Sequence, residues 1–106
     1  MTEKLQTILS EIRLGLEGLY GDRLKGLVLY GSQARGDAEE GSDIDVAVIL
    51  SEPIDLAEEV NRTGELRVNL CLRHETVVSF LYLEPAELES KRSPALLNIR
   101  REGIAI

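Results

Sequence analysis

Two apolar runs constrain this chain more than any other feature. GLVLY (26–30), bounded by glycines, reads as a short central strand. SDIDVAVIL (42–50) reads as a second strand, its acids first and its apolar residues following. Strands this apolar need other layers packed against them, and the rest of the chain supplies helices to do so.

Leu5, Ile8, Leu9, Ile12, Leu16 and Leu19 fall on one stripe at helical spacing, so residues 3 to about 20 are predicted as an amphipathic helix. Thr2 can cap its start, and Gly21 can end it in a left-handed conformation. A second helix is expected over 54 to about 72, after Pro53, with Leu56, Val60, Leu66 and Leu70 turned inward. TVVSFLYL (76–83) is rich in β-branched and aromatic residues and reads as a third strand, with Glu75 at its start. SPALLNIRREG carries the punctuation of a last helix: Ser93 as cap, Pro94 at the first position, Arg100 and Arg101 near the end, and Gly103 after it. The order α, β, turn, β, α, β, α predicts an α/β fold, a small mixed sheet packed with helices. With 106 residues the chain is read as a single domain, 1–106. A domain of this size buries roughly 65% of its unfolded surface, enough for one core without staples.

Charge and cysteine content narrow the function. The chain carries 19 acidic against 12 basic residues, a net charge of −7. Bulk binding to nucleic acid is therefore not expected, because phosphates need a basic face. A nucleotide whose phosphates arrive with metal ions is still admissible. Cys71 is the single cysteine, so no internal disulfide can form. No stretch resembles a signal peptide or spans a membrane, and the expectation is a soluble cytoplasmic protein.

The chemistry concentrates between the two strands. Asp43 and Asp45 are two apart, so in a strand they project from the same face, with Cα atoms about 6.6 Å apart. Two carboxylates aimed at one spot repel unless a cation lies between them or one is protonated. Asp is also depleted in strands, so such a pair needs a reason. Two divalent ions about 3.5–4 Å apart, with a third carboxylate, are one arrangement that supplies it. Mg²⁺ takes oxygen ligands and keeps some waters, leaving positions for phosphate oxygens. Before the acids, Gly31 and Ser32 follow the first strand and open a short helix, SQARG. Glycine admits a phosphate close to the backbone, and the helix start and the Ser32 hydroxyl offer donors. A phosphate binder beside a metal binder suggests transfer of a phosphoryl or nucleotidyl group.

The stretch GSQARGDAEEGSDID resembles the signature of minimal nucleotidyltransferases of the polymerase-beta superfamily: Gly31-Ser32, ten residues from Gln33 to Ser42, then Asp43-Ile44-Asp45. The resemblance extends over nearly the whole chain and implies the polymerase-beta-like nucleotidyltransferase fold. It implies that Asp43 and Asp45 hold Mg²⁺, two ions in all, together with the phosphates of ATP. It implies that Glu75 is the third carboxylate, completing the site and helping to activate the acceptor hydroxyl. Gly31 and Ser32 would grip the distal phosphates, and Arg35 would neutralise triphosphate charge or simply form a solvated helix end.

Minimal nucleotidyltransferases of this size resemble antitoxins paired with helical HEPN-type toxins. The resemblance therefore implies transfer of AMP from ATP to a hydroxyl of a HEPN-type partner protein. Two alternatives stand beside it: a catalytically idle antitoxin that binds sterically, and an enzyme that modifies a small molecule such as an aminoglycoside. Gly31 to Gly36 fits half of a P-loop, but Asp37-Ala38 replaces the Lys and Ser/Thr that a P-loop requires. Cys71 and His74 have no other Cys or His to complete a zinc site, and Cys71 reads as a small core residue. Tyr30 could pack or stack on a nucleotide, and the apolar residues Ile104 to Ile106 could serve an interface in a homo-oligomer.

Overall fold

The computed structural model describes residues 1–39, 41–51, 53–89 and 94–106. The first helix, α1 (Glu3–Tyr20), begins where expected: Thr2 Oγ1 accepts the Leu5 N–H at 3.1 Å, and Gly21 ends the helix at a φ of 52°. Its buried stripe is Leu5, Ile8, Leu9, Ile12 and Leu16, closing on Tyr20 instead of the predicted Leu19, which is exposed. A single 3₁₀ turn, Gly21–Arg23, leads into β1 (Leu24–Tyr30). The short helix α2 (Ser32–Arg35) follows at once, and β2 (Ile44–Leu50) returns antiparallel to β1.

The next helix, α3 (Leu56–His74), is capped by Asp55, whose Oδ1 accepts the Glu58 N–H at 3.2 Å. It crosses over to β3 (Val78–Leu83), which lies parallel to β2. Two short helices, α4 (Pro85–Glu89) and α5 (Pro94–Glu102), precede β4 (Ile104–Ala105), which pairs antiparallel with β1. The four strands stand in the order β3-β2-β1-β4. Ser93, expected as the cap of α5, lies outside the described residues. The mixed sheet and its helical layers are those the sequence predicts. The residues Ile104 to Ile106 are used within the chain: Ile104 and Ala105 pair with β1, and the Ile106 N–H donates to the Leu27 carbonyl at 3.0 Å.

Alternation along the strands divides the core. Leu27, Leu29, Val46, Val48 and Val78 face α1 and Leu70 of α3 on one side of the sheet. Ala47, Ile49 and Leu83 face Ile99 of α5 on the other, with Val28, Tyr30, Leu81, Leu88 and Leu96 packed around them. β2 is thus covered on both faces, which is why its sequence runs nearly unbroken in apolar residues.

In α3 the buried face differs from the predicted one. Leu70 is buried and Leu66 packs against the core, but Leu56 and Val60 are 62% and 52% exposed. Glu59 and Thr63 take the inward places, each 1% exposed. The Glu59 carboxylate accepts hydrogen bonds from the Tyr20 hydroxyl at 3.0 Å and from Arg23 at 3.2 Å, and Arg62 stands 3.7 Å away. A buried carboxylate with that many donors is satisfied, so the helix can turn a charge inward and leave two aliphatic residues outside.

Candidate active site

The site lies where β1 ends and β2 begins. Strand register puts Tyr30 and Ser79 on either side of Asp45, one on β1 and the other on β3. Register partners share a face of the sheet. By alternation from Ala47 and Leu81, Asp45 and Ser79 project to the α5 side. Asp43 is exposed and immediately precedes β2, one residue before Ile44.

Asp45 is partly buried, and its carboxyl is raised above the usual carboxylate range, first by burial and then by the negative charge of Asp43. The Tyr30 hydroxyl is raised by burial and by Asp45. Two carboxylates therefore bring negative charge together at the start of β2, and a cation between them would relieve it.

The phosphate-type turn meets this charge directly. Gly31 adopts φ 75° and ψ −157°, a region of backbone space that only glycine enters readily. A Cβ there would stand 2.7 Å from Asp45 Oδ2. The turn backbone and the carboxylate are in contact, and glycine is the residue that allows it. Ser32 opens α2, and the Ala34 and Arg35 amides both donate to the Gly31 carbonyl at 3.1 Å. The amides of Ser32 and Gln33, in the first turn, find no acceptor within the helix itself.

The loop between α2 and β2 is tied down at its far end. Ser42 N–H donates to the Glu39 carbonyl at 3.0 Å, and the Glu39 N–H donates to Ser42 Oγ at 2.9 Å. Gln33 Nε2 donates to the Ser42 carbonyl at 3.3 Å, linking α2 to the residue before Asp43. A cavity of about 380 Å³ opens beside this loop, lined by Lys4, Ile8, Gln33, Ser42, Ile44 and Thr76 among others. Ile44 marks it as belonging to the α1 side of the sheet, opposite Asp45.

Glu75 and Arg35, both expected at the site, have structural roles in the fold. Glu75 does not stand at the start of a strand: α3 runs on to His74, Glu75 is its C-cap, and β3 begins three residues later at Val78. Glu75 is exposed, with a left-handed backbone (φ 51°, ψ 48°), and its N–H donates to the Cys71 carbonyl. Among the described residues no group of three His, Cys, Asp or Glu side chains could hold a metal ion. Arg35 is exposed and paired twice, to Asp37 at 3.1 Å and to Glu102 of α5 at 3.2 Å. Those hydrogen bonds, with Asp37 the stronger influence, hold its guanidinium even more firmly charged.

Cys71 and His74 also have structural partners. The Cys71 sulfur accepts the Val78 N–H at 3.3 Å, and His74, with Arg73, bonds Glu11 of α1. No described helix is long and apolar enough to cross a membrane. Of the two flanks of Asp45, sequence reasoning missed Ser79. Tyr30 was visible next to the turn, but nothing local in VVSFLYL marks Ser79 as Asp45's neighbour.

The donor set suits a hard divalent cation: two carboxylates at the start of a strand, beside a backbone turn whose missing Cβ leaves room at Asp45 Oδ2. Residues 19–93 match the sequence family described as polymerase beta, nucleotidyltransferase. A Methanocaldococcus jannaschii protein named as a candidate protein adenylyltransferase is 36% identical over 72 residues, 68% of this chain and 72% of that protein. Among solved structures, a toxin-antitoxin complex with AMP-PNP is similar at a TM-score of 0.63 and 22% identity, over 91% of this chain and 69% of that one. A complex of a tri-AMPylated Shewanella oneidensis HEPN toxin with an MNT antitoxin is similar at 0.50 and 20% identity, over 92% and 68%. At these identities the structural likenesses speak for the fold.

Proposed function

Because this chain belongs to the polymerase beta nucleotidyltransferase family, we propose that it moves AMP from ATP onto a hydroxyl of a partner protein. The proposed partner is a HEPN-type helical toxin, with this chain as its antitoxin. Asp43 and Asp45 hold Mg²⁺ in this reading, and the Gly31-Ser32 turn receives the triphosphate. The name of the Methanocaldococcus jannaschii relative and the AMPylated toxin in the Shewanella complex support the choice of protein acceptor.

In the reaction the acceptor oxygen forms a bond to the α-phosphorus, the α–β bridging bond breaks, and pyrophosphate leaves with that electron pair. The hydroxyl proton goes to solvent. A bound divalent ion supplies charge neutralisation on the phosphates and a lower pKa for an oxygen it touches. The chain's own part is positional. Gly31 lets the phosphate approach the backbone, Ser32 offers its hydroxyl and amide, and the Ser42–Glu39 bonds fix the loop that carries Asp43.

The observation that carries this reading is the contact between the turn and the carboxylate, 2.7 Å from a Cβ built on Gly31 to Asp45 Oδ2. Incubating the chain with ATP labelled at the α-phosphate, Mg²⁺ and the protein encoded beside it tests the reading. Label should reach that protein and disappear with Asp43→Asn combined with Asp45→Asn. Transfer that survives the double change would refute it.

A second reading has its own support. Among the described residues no third carboxylate joins the pair, which favours an antitoxin that neutralises by binding alone. Under that reading the same double variant still protects cells from the toxin.

A further inference from the structure

We infer that this site holds one divalent ion where a pair would be expected, and that Ser79 is the residue responsible. The inference rests on the metal-dependent reading above and concerns the stoichiometry of its site.

Tyr30, Asp45 and Ser79 form one row across β1, β2 and β3. Neighbouring strands lie about 4.8 Å apart, so a side chain on β3 opposite Asp45 is within reach of an ion that Asp45 holds. That place belongs to a serine. The next position of β3 on the same face is Leu81, packed into the apolar cluster under α5. Val78 and Phe80 turn the other way, into the core on the α1 side. β3 therefore offers the site one neutral hydroxyl and no carboxylate.

From the β1 side the row offers Tyr30, a half-buried phenol and again no carboxylate. Glu75 lies three residues before β3, at the cap of α3, its backbone fixed by the bond to Cys71. Two ions about 3.5–4 Å apart need a carboxylate that bridges them and further anionic ligands on each outer side. Asp43 and Asp45 can hold one ion together with phosphate oxygens. On the β3 side a second ion would meet a hydroxyl that binds it weakly and brings no charge. Placing a carboxylate at position 79 supplies what is missing.

The test uses Mn²⁺ and a non-hydrolysable ATP analogue with the full chain. Ions per chain are counted by equilibrium dialysis, corrected for the analogue alone, and the spin state is read by electron paramagnetic resonance. The wild-type chain should take up about one ion, with a mononuclear spectrum. Ser79→Asp should take up about two and show a spin-coupled pair, and Ser79→Asn, equal in size but neutral, should behave as the wild type. Ser79→Glu repeats the test if Ser79→Asp fails to fold by circular dichroism. A coupled pair in the wild type would overturn the inference. So would acidic variants that fold and bind the analogue yet stay mononuclear. Uptake of no ion by the wild type, with or without analogue, would sink the metal-dependent reading itself, and this inference with it.

Discussion

Replacing Gly31 by alanine tests how closely the turn and the carboxylate depend on each other. Gly31 sits at φ 75° and ψ −157°, where a Cβ costs about 1–3 kcal/mol in backbone strain. The new methyl would also meet Asp45 Oδ2 at 2.7 Å, a contact the carboxylate must swing away to relieve. Together these predict a loss of about 3 kcal/mol in urea melts, equivalent to a fall of roughly 12–24 °C in Tm for a domain of this size. Gly36 is the control. It is left-handed too, at φ 81°, but nothing lies within 4 Å of a Cβ built there. Gly36→Ala should cost about 1–2 kcal/mol and leave Mn²⁺ affinity within twofold, whereas Gly31→Ala should weaken it by about tenfold or more. A double-mutant cycle separates the two costs. In an Asp45→Ala background the contact is absent, and Gly31→Ala should cost only the backbone share, about 2 kcal/mol. If Gly31→Ala melts within about 0.5 kcal/mol of wild type, or binds Mn²⁺ as well, then the turn and the carboxylate are not coupled as argued.

Four further outcomes are expected. Burial and Asp43 raise the Asp45 carboxyl, so the fold disfavours its ionised form. Without metal, stability should fall as pH climbs from the ordinary aspartate range through the raised value and level off above it. Asp45→Asn should remove that fall, leaving a variant more stable than wild type at neutral pH in chelator, measured as Tm against pH. Glu75→Gly, at a left-handed helix cap, should stabilise the chain by about 1 kcal/mol and spare AMP transfer; abolished transfer in a folded variant would return Glu75 to the site. Glu59→Ala orphans the buried Tyr20 hydroxyl and should cost about 2–3 kcal/mol in urea melts. Gly103→Ala would drive a methyl to 2.2 Å from the Ile99 carbonyl oxygen and 2.4 Å from Val28. A loss of about 1–3 kcal/mol should follow, with faster hydrogen exchange at the Ile106 amide that β1 holds.

Much of this architecture was legible because it is written locally. The α1 stripe from Leu5 to Leu16, the Thr2 cap and the two apolar strands follow from periodicity and turn chemistry, and the structure keeps them. What escaped is written at long range. Leu56 and Val60 were expected inward, but Glu59 and Thr63 take those places because Tyr20, Arg23 and Tyr82 receive them. β4 is two residues long and exists because β1 has an open edge beside it. Glu75 looked like the start of a strand because the β-branched and aromatic run begins directly after it, yet helix α3 runs two residues past its expected end, to His74, leaves Glu75 as its cap, and β3 waits until Val78. Ser79 carries no local signal. Its meaning comes from the parallel pairing of β3 with β2, which no short stretch of sequence encodes.

The central claim concerns place: a divalent ion between Asp43 and Asp45, with triphosphate on the Gly31-Ser32 backbone. Anomalous scattering from crystals grown with Mn²⁺ and a non-hydrolysable ATP analogue measures it directly. The account predicts a peak touching both carboxylates, with the analogue's phosphate oxygens within hydrogen-bond distance of Ser32. Manganese or phosphates seated elsewhere, with both aspartates free, would contradict it.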